Sequence, residues 1–337
     1  MRRLLSATLL SAALVVGGPS LADDEHNGHA AHARHEAVGK VEFANSCSPS
    51  VQEDFARGVA MLHSFWFSAG EQVFRGVLET DPGCAIAGWG IASLMMNNPL
   101  AGAGSSTPEA AKGRAALDQA RAIGAKTERE RDYIDAVGAY YQDFGARLER
   151  ERQARRSAAY EALAAKYPND DEAQIFSALY IAGTQSQADQ TFAAYGRAVA
   201  ILTRQLATHP DHPGIAHYLI HSFDAAPIAS KGLPAALAYA KIAPDAPHAQ
   251  HMPSHIFSRV GAWEASVASN ARAFAAALPG REYWRRSTPA ITWSMPTCSS
   301  PATPPPLPRR RRRLRSRCPH PCRLRLSMPV RRCLPAC

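Results

Sequence analysis

His217 and His221 stand four residues apart in the segment Ala216-His217-Tyr218-Leu219-Ile220-His221-Ser222-Phe223-Asp224. On a helix that spacing points both rings the same way. His251 and His255 repeat the spacing 34 residues later in the sequence. Neutral imidazoles are good ligands for zinc, copper, nickel or iron. If the two pairs sit on neighbouring helices, four histidines converge. The candidate metal ligands, for a divalent ion such as zinc, are His217, His221 and His255; His251 and Asp224 complete the candidate pocket. A blander arrangement competes with this one. Pro253 should occupy a first helical turn, which leaves His251 at or before the cap and spoils its spacing. A buried histidine can also be satisfied by a backbone carbonyl or by Asp224, giving a polar ligand pocket or a structural network. No Glu sits between the paired histidines as in H-E-x-x-H, so a zinc-protease site has no support.

Other chemistry is sparse. His26, His29, His32 and His35 recur every third residue in a polar stretch. Such a tract can hold metal weakly, but nothing pre-organises it. Five of the 7 Cys lie after residue 286, leaving Cys47 and Cys84 in the body. Two body cysteines in an exported chain suggest one disulfide, Cys47–Cys84. No Gly-x-Ser-x-Gly elbow and no Gly-x-x-x-x-Gly-Lys phosphate loop is present, so nothing in the motifs proposes an enzyme.

The elements that must position these residues read as helices. The chain of 337 residues is Ala-rich, and Ala loses no side-chain entropy in a helix. No strand-period alternation persists in the body, and the fold class is all-α. Ser48-Pro49-Ser50 predicts a helix start, with a helix running to about Ser68. Phe55, Val59, Leu62, Phe65 and Trp66 fall on one face of it. Gly70 should allow a tight turn into a second helix carrying Val73, Phe74 and Val77, ending before Asp81-Pro82. A further pair spans about 111–123 and 127–144, and Thr127-Glu128-Arg129-Glu130 reads as a capped start.

This helix–turn–helix–Pro unit resembles the tetratricopeptide repeat, whose period is 34 residues. Gly58, Gly70, Phe74 and Pro82 fall where that family has small, small, aromatic and Pro residues. The stretches Leu62-His63-Ser64-Phe65-Trp66, Asp81-Pro82-Gly83-Cys84, Ala216 to Asp224 and His251-Met252-Pro253-Ser254-His255 are similar to a group of exported bacterial tetratricopeptide-repeat proteins of unassigned function. The resemblance implies a TPR-like α–α solenoid over 46–286, a scaffold that binds a protein or peptide. Phe65-Trp66-Phe67 and Trp89 then belong to the packing.

The ends differ from the body. Arg2-Arg3, the apolar run Leu4–Val16 and Ser20-Leu21-Ala22 read as a signal peptide over 1–22. That implies an exported protein, periplasmic or secreted, with no later stretch long enough to span a membrane. Residues 23–45 read as a His-rich flexible linker. From Arg281 onward there are 14 Arg, no Lys and one acid, a charge of +13 against +9 for the whole chain. The rest therefore carries −4, and the high pI is no evidence for a nucleic-acid partner. Residues 287–337 hold 11 Pro and no acid, and are expected to be disordered. Two origins compete: a genuine basic tail, or text translated out of frame. Read one nucleotide upstream, the codons permit a Tyr-rich amphipathic helix, which favours the second.

Two functions follow from different classes. One is the protein- or peptide-binding scaffold. The other is a metal-dependent enzyme or metal-binding protein using the paired histidines.

Overall fold

The computed structural model describes residues 36–277. The expected signal peptide, the histidines from His26 to His35 and the arginine-rich tail lie outside them. Among the described residues the chain is all-helical, with no strand. The helices are α1 (Gln52–His63), α2 (Phe67–Thr80), α3 (Ile86–Met95), α4 (Thr107–Ile123), α5 (Glu128–Tyr141), α6 (Glu149–Lys166) and α7 (Asp171–Gly183). They continue as α8 (Ala193–Leu206), α9 (Pro213–Phe223), α10 (Leu233–Ile242), α11 (Pro247–His251), α12 (Pro253–Arg259) and α13 (Trp263–Ala277). No helix is long and apolar enough to cross a membrane.

Local chemistry sets several boundaries. Ser106 and Thr127 cap α4 and α5 in reciprocal boxes with Glu109 and Glu130, which satisfies otherwise orphaned helix donors. Pro213, Pro247 and Pro253 open α9, α11 and α12, where a missing N–H costs nothing. The first helix is shorter than the apolar pattern predicts. It stops at His63, because Phe65 adopts φ 50° and reverses the chain. Gly70 lies inside α2 rather than in the turn. A Cβ there would stand 3.2 Å from Leu94, so this glycine admits a neighbouring helix.

Consecutive helices pack on one another, α1 on α2, α3 on α4, α5 on α6 and α7 on α8. The main core is aromatic. Phe74 is wholly buried between Gly58 and Gly90, where added Cβ atoms would meet its ring at 3.0 and 2.5 Å. Trp89 donates its indole N–H to the Tyr160 hydroxyl at 2.7 Å. Cys47 and Cys84 are joined by a disulfide, with Cα atoms 4.8 Å apart.

Residues 36–45, expected as part of a flexible linker, are packed instead. Phe43 is buried against Phe55, Trp89 and Tyr133, with ring centroids 5.0–5.4 Å apart. One buried aromatic removes enough apolar surface from water to hold such a strand-like segment down. Ala37 and Asp245 also exchange hydrogen bonds across 208 positions. A second long-range contact matters more. Helix α1 touches α9, which brings His63 beside His217 and Tyr218.

Candidate metal centre

Helix α9 carries His217 and His221 one turn apart, their rings 4.9 Å from each other. Helices α11 and α12 carry His248, His251 and His255. Pro253 does split these two helices, but it does not spoil the spacing. Met252 between them keeps helical dihedrals (φ −56°, ψ −35°), and its N–H still bonds the His248 carbonyl at 2.9 Å. The turn therefore continues, and the His251 and His255 rings lie 4.9 Å apart.

The two elements bring five imidazoles together. His217 and His248 approach Nε2 to Nε2 at 3.1 Å, and His251 and His255 do the same at 3.1 Å. The ligand atoms of His217, His221 and His248 all lie within 4.8 Å of one another. Ring separations of 6.0 Å (His221–His255) and 5.9 Å (His248–His251) join the two sets. His248 was the residue that spacing did not single out, since it lies three residues before His251 rather than four.

Partners at the other ring nitrogen fix the tautomers. The His63 carbonyl accepts from His217 Nδ1 at 2.6 Å. A carbonyl only accepts, so Nδ1 carries the hydrogen and Nε2 of the neutral ring carries the lone pair. Asp224 accepts from His255 Nδ1 at 2.8 Å, and Arg259 donates to the other carboxylate oxygen at 2.8 Å. Burial raises the Asp224 pKa, but hydrogen bonds and charge from His255 and Arg259 outweigh it and hold the carboxyl below its usual value. Asn270 donates its amide to the Ser266 carbonyl, which turns Oδ1 toward His251 Nδ1 at 2.7 Å. Nε2 of His221 is buried with no partner.

Burial also favours the neutral form of four of the rings. It pushes His217 down to about 3, against the opposing hydrogen bond that the ring donates to the His63 carbonyl. Burial, then the charge of neighbouring His255, brings His251 to about 4. Burial and adjacent histidines hold His221 and His248 well below the ordinary value. Neutral imidazoles with a committed Nδ1–H and an exposed lone pair at Nε2 are what metal coordination requires.

A second histidine group has different chemistry. Glu172, His63 and His212 are all buried. His63 Nε2 and His212 Nε2 each donate to one oxygen of Glu172, at 2.9 Å. His63 Nδ1 then accepts from the Tyr218 hydroxyl at 2.8 Å. Donors alternate with acceptors from Tyr218 through His63 and Glu172 to His212, and His212 Nδ1 is left buried with no partner. Sequence reasoning missed this group because its members lie 109 and 40 positions apart. Glu172 and His212 also line a charged cleft of about 640 Å³ with Arg129, Asp170 and Lys40.

In comparisons with protein-family models, curated proteins and solved structures, the chain matches none.

Proposed function

We propose that this protein binds a late first-row transition-metal ion, of the zinc or copper class, through Nε2 of His217, His221 and His248. One observation carries the reading: His221, whose buried Nε2 has no partner, brings a ring nitrogen within 4.8 Å of ring nitrogens of both His217 and His248. An orphaned buried polar atom costs roughly 1–3 kcal/mol, and a cation among three lone pairs removes that cost. Metal bonds of about 2.0–2.1 Å put two nitrogens about 2.9 Å apart at a right angle and about 3.3 Å apart at a tetrahedral one. The 3.1 Å between His217 and His248 falls between those limits. Imidazole donors favour zinc, copper, nickel or iron over the hard cations calcium and magnesium. The site serves binding or carriage, or holds the ion of a metal-dependent enzyme. The test is elemental analysis of tag-free protein, with Zn²⁺ titration of the apo form. Loss of the bound equivalent in His221→Ala supports the site, and unchanged binding removes it.

The frame around the site reads as a TPR-like stack of helix pairs in an exported protein. Phe74 between Gly58 and Gly90, and Pro82 after α2, support that reading. A scaffold role toward a protein or peptide is the second reading. It draws on α13, where Trp263, Val267 and Phe274 are exposed large apolar residues on one helix. Unpartnered apolar surface of this kind often marks an interaction site.

A further inference from the structure

His251 and His255 present a conflict that hydrogen bonding between two neutral rings does not resolve. Each Nδ1 is committed as a donor, His251 to Asn270 and His255 to Asp224. With both rings neutral, each then carries its lone pair at Nε2. These two lone pairs face one another at 3.1 Å. Two acceptors at that distance repel unless a cation lies between or beside them. The contrast with Glu172 is direct, because there each acceptor meets a donor.

From this geometry we infer a second ion subsite, formed by Nε2 of His251 and His255, so that the cluster holds two late transition-metal ions rather than one. The inference rests on the metal-binding reading above and extends it. The 3.1 Å separation again lies between the values for right-angled and tetrahedral ligands at about 2.0–2.1 Å. Asp224 is a positioning residue here. It orients His255, as carboxylates behind metal-bound histidines do. Asn270 performs the orienting part for His251. Five imidazoles also exceed the four positions of a tetrahedral ion. His251 and His255 stand outside the group whose ligand atoms all fall within 4.8 Å. The competing occupant is a proton, shared as an imidazolium–imidazole pair beside Asp224.

The decisive measurement is Zn²⁺ stoichiometry in the full chain. His26, His29, His32 and His35 are replaced by Ala throughout, so that their tract adds no ions. This parent is compared with His251→Ala/His255→Ala and with His221→Ala. All three altered rings are only partly buried, and circular dichroism checks that the helices persist. Two equivalents in the parent and one in the double variant are expected, with the remaining ion held at unchanged affinity. His221→Ala should weaken the first ion and leave the second. One equivalent in the parent that is kept in the double variant overturns the second subsite and leaves the single-ion reading standing; one equivalent that is lost in the double variant overturns the assignment of the ion to His217, His221 and His248 as well. No binding in any form overturns both.

Discussion

The backbone carbonyl of His63, the last residue of α1, accepts the Nδ1–H of His217 across 154 positions at 2.6 Å. The same residue's ring is anchored on Glu172 and Tyr218. One residue therefore joins two histidine systems: its side chain bridges Glu172 and Tyr218 in a buried network, and its carbonyl sets the tautomer of a proposed metal ligand. An open stack, in which each helix pair touches only its neighbours, would not make this contact. The closure of α1 on α9 is what creates it.

The network makes the metal-free protein acid-sensitive in a defined direction. Burial lowers the His63 pKa below its ordinary 6.5. Glu172 is raised by burial, but the charges and hydrogen bonds of His63 and His212 outweigh that and leave it below 4.5. Both folded values are depressed, so in each case the unfolded chain takes up protons first as pH falls. Stability is full above about pH 6.5 and declines below it, at up to about 1.4 kcal/mol per pH unit for each group titrating. His63 acts from about pH 6.5 downward, and Glu172 adds its share below about 4.5. Urea midpoints of the metal-free protein should fall between pH 7 and 5 and more steeply below 4.5. A midpoint independent of pH would contradict the neutral, buried His63.

Two glycines in adjacent helices should respond oppositely to alanine. A Cβ on Gly90 would stand 2.5 Å from the Phe74 ring, which is wholly buried and cannot withdraw. The overpacking should exceed the gain in helix propensity, and Gly90→Ala should destabilise by about 1–2 kcal/mol. Gly76 in α2 has nothing within 4 Å of its Cβ position. Gly76→Ala should stabilise by about 0.5–1 kcal/mol. Thermal denaturation of both variants beside the parent checks the sign of each.

Reduction should cost the fold more. The Cys47–Cys84 bond closes a segment of 37 positions. In the chain-entropy account that restriction of the unfolded chain is worth about 3–4 kcal/mol. Cys47→Ala/Cys84→Ala, or the reduced protein, should unfold at correspondingly lower denaturant. Unchanged midpoints would mean that Phe43 and its neighbours hold this region without the bond.

Much of the architecture was legible because local rules decided it. Thr127 with Glu130 marked a helix start. The i, i+4 histidine pairs lie together for the same kind of reason, since one helical turn sets the ring spacing. What escaped were features that no local rule encodes. Phe65 turns the chain at positive φ, which a bulky residue rarely does. Its ring lies 4.5 Å from His217 and 5.4 Å from His248, so the strained turn forms part of the cluster's wall. Phe43 sat in a stretch too polar to suggest a core. Glu172 carries no sequence signal of its own, and only its burial beside two histidines, from segments far away in sequence, distinguishes it.

Asn270 offers a test of the cluster from outside it. Its Oδ1 accepts from His251 Nδ1, and its amide is fixed by the Ser266 carbonyl. Asn270→Ala removes the acceptor, so His251 can turn or adopt the tautomer with its hydrogen at Nε2. That tautomer no longer offers a lone pair toward His255. Loss of such an outer partner typically weakens metal binding 10–100-fold. The expected result is a drop of about that size in Zn²⁺ affinity at the second subsite, with the first ion held as before. Asn270→Asp keeps an acceptor oxygen and should retain most of the affinity. Its loss of the amide bond to Ser266 is shared with the Ala variant, so a merely structural effect would weaken both alike. Equal binding by parent, Ala and Asp forms would show that His251 is not a ligand.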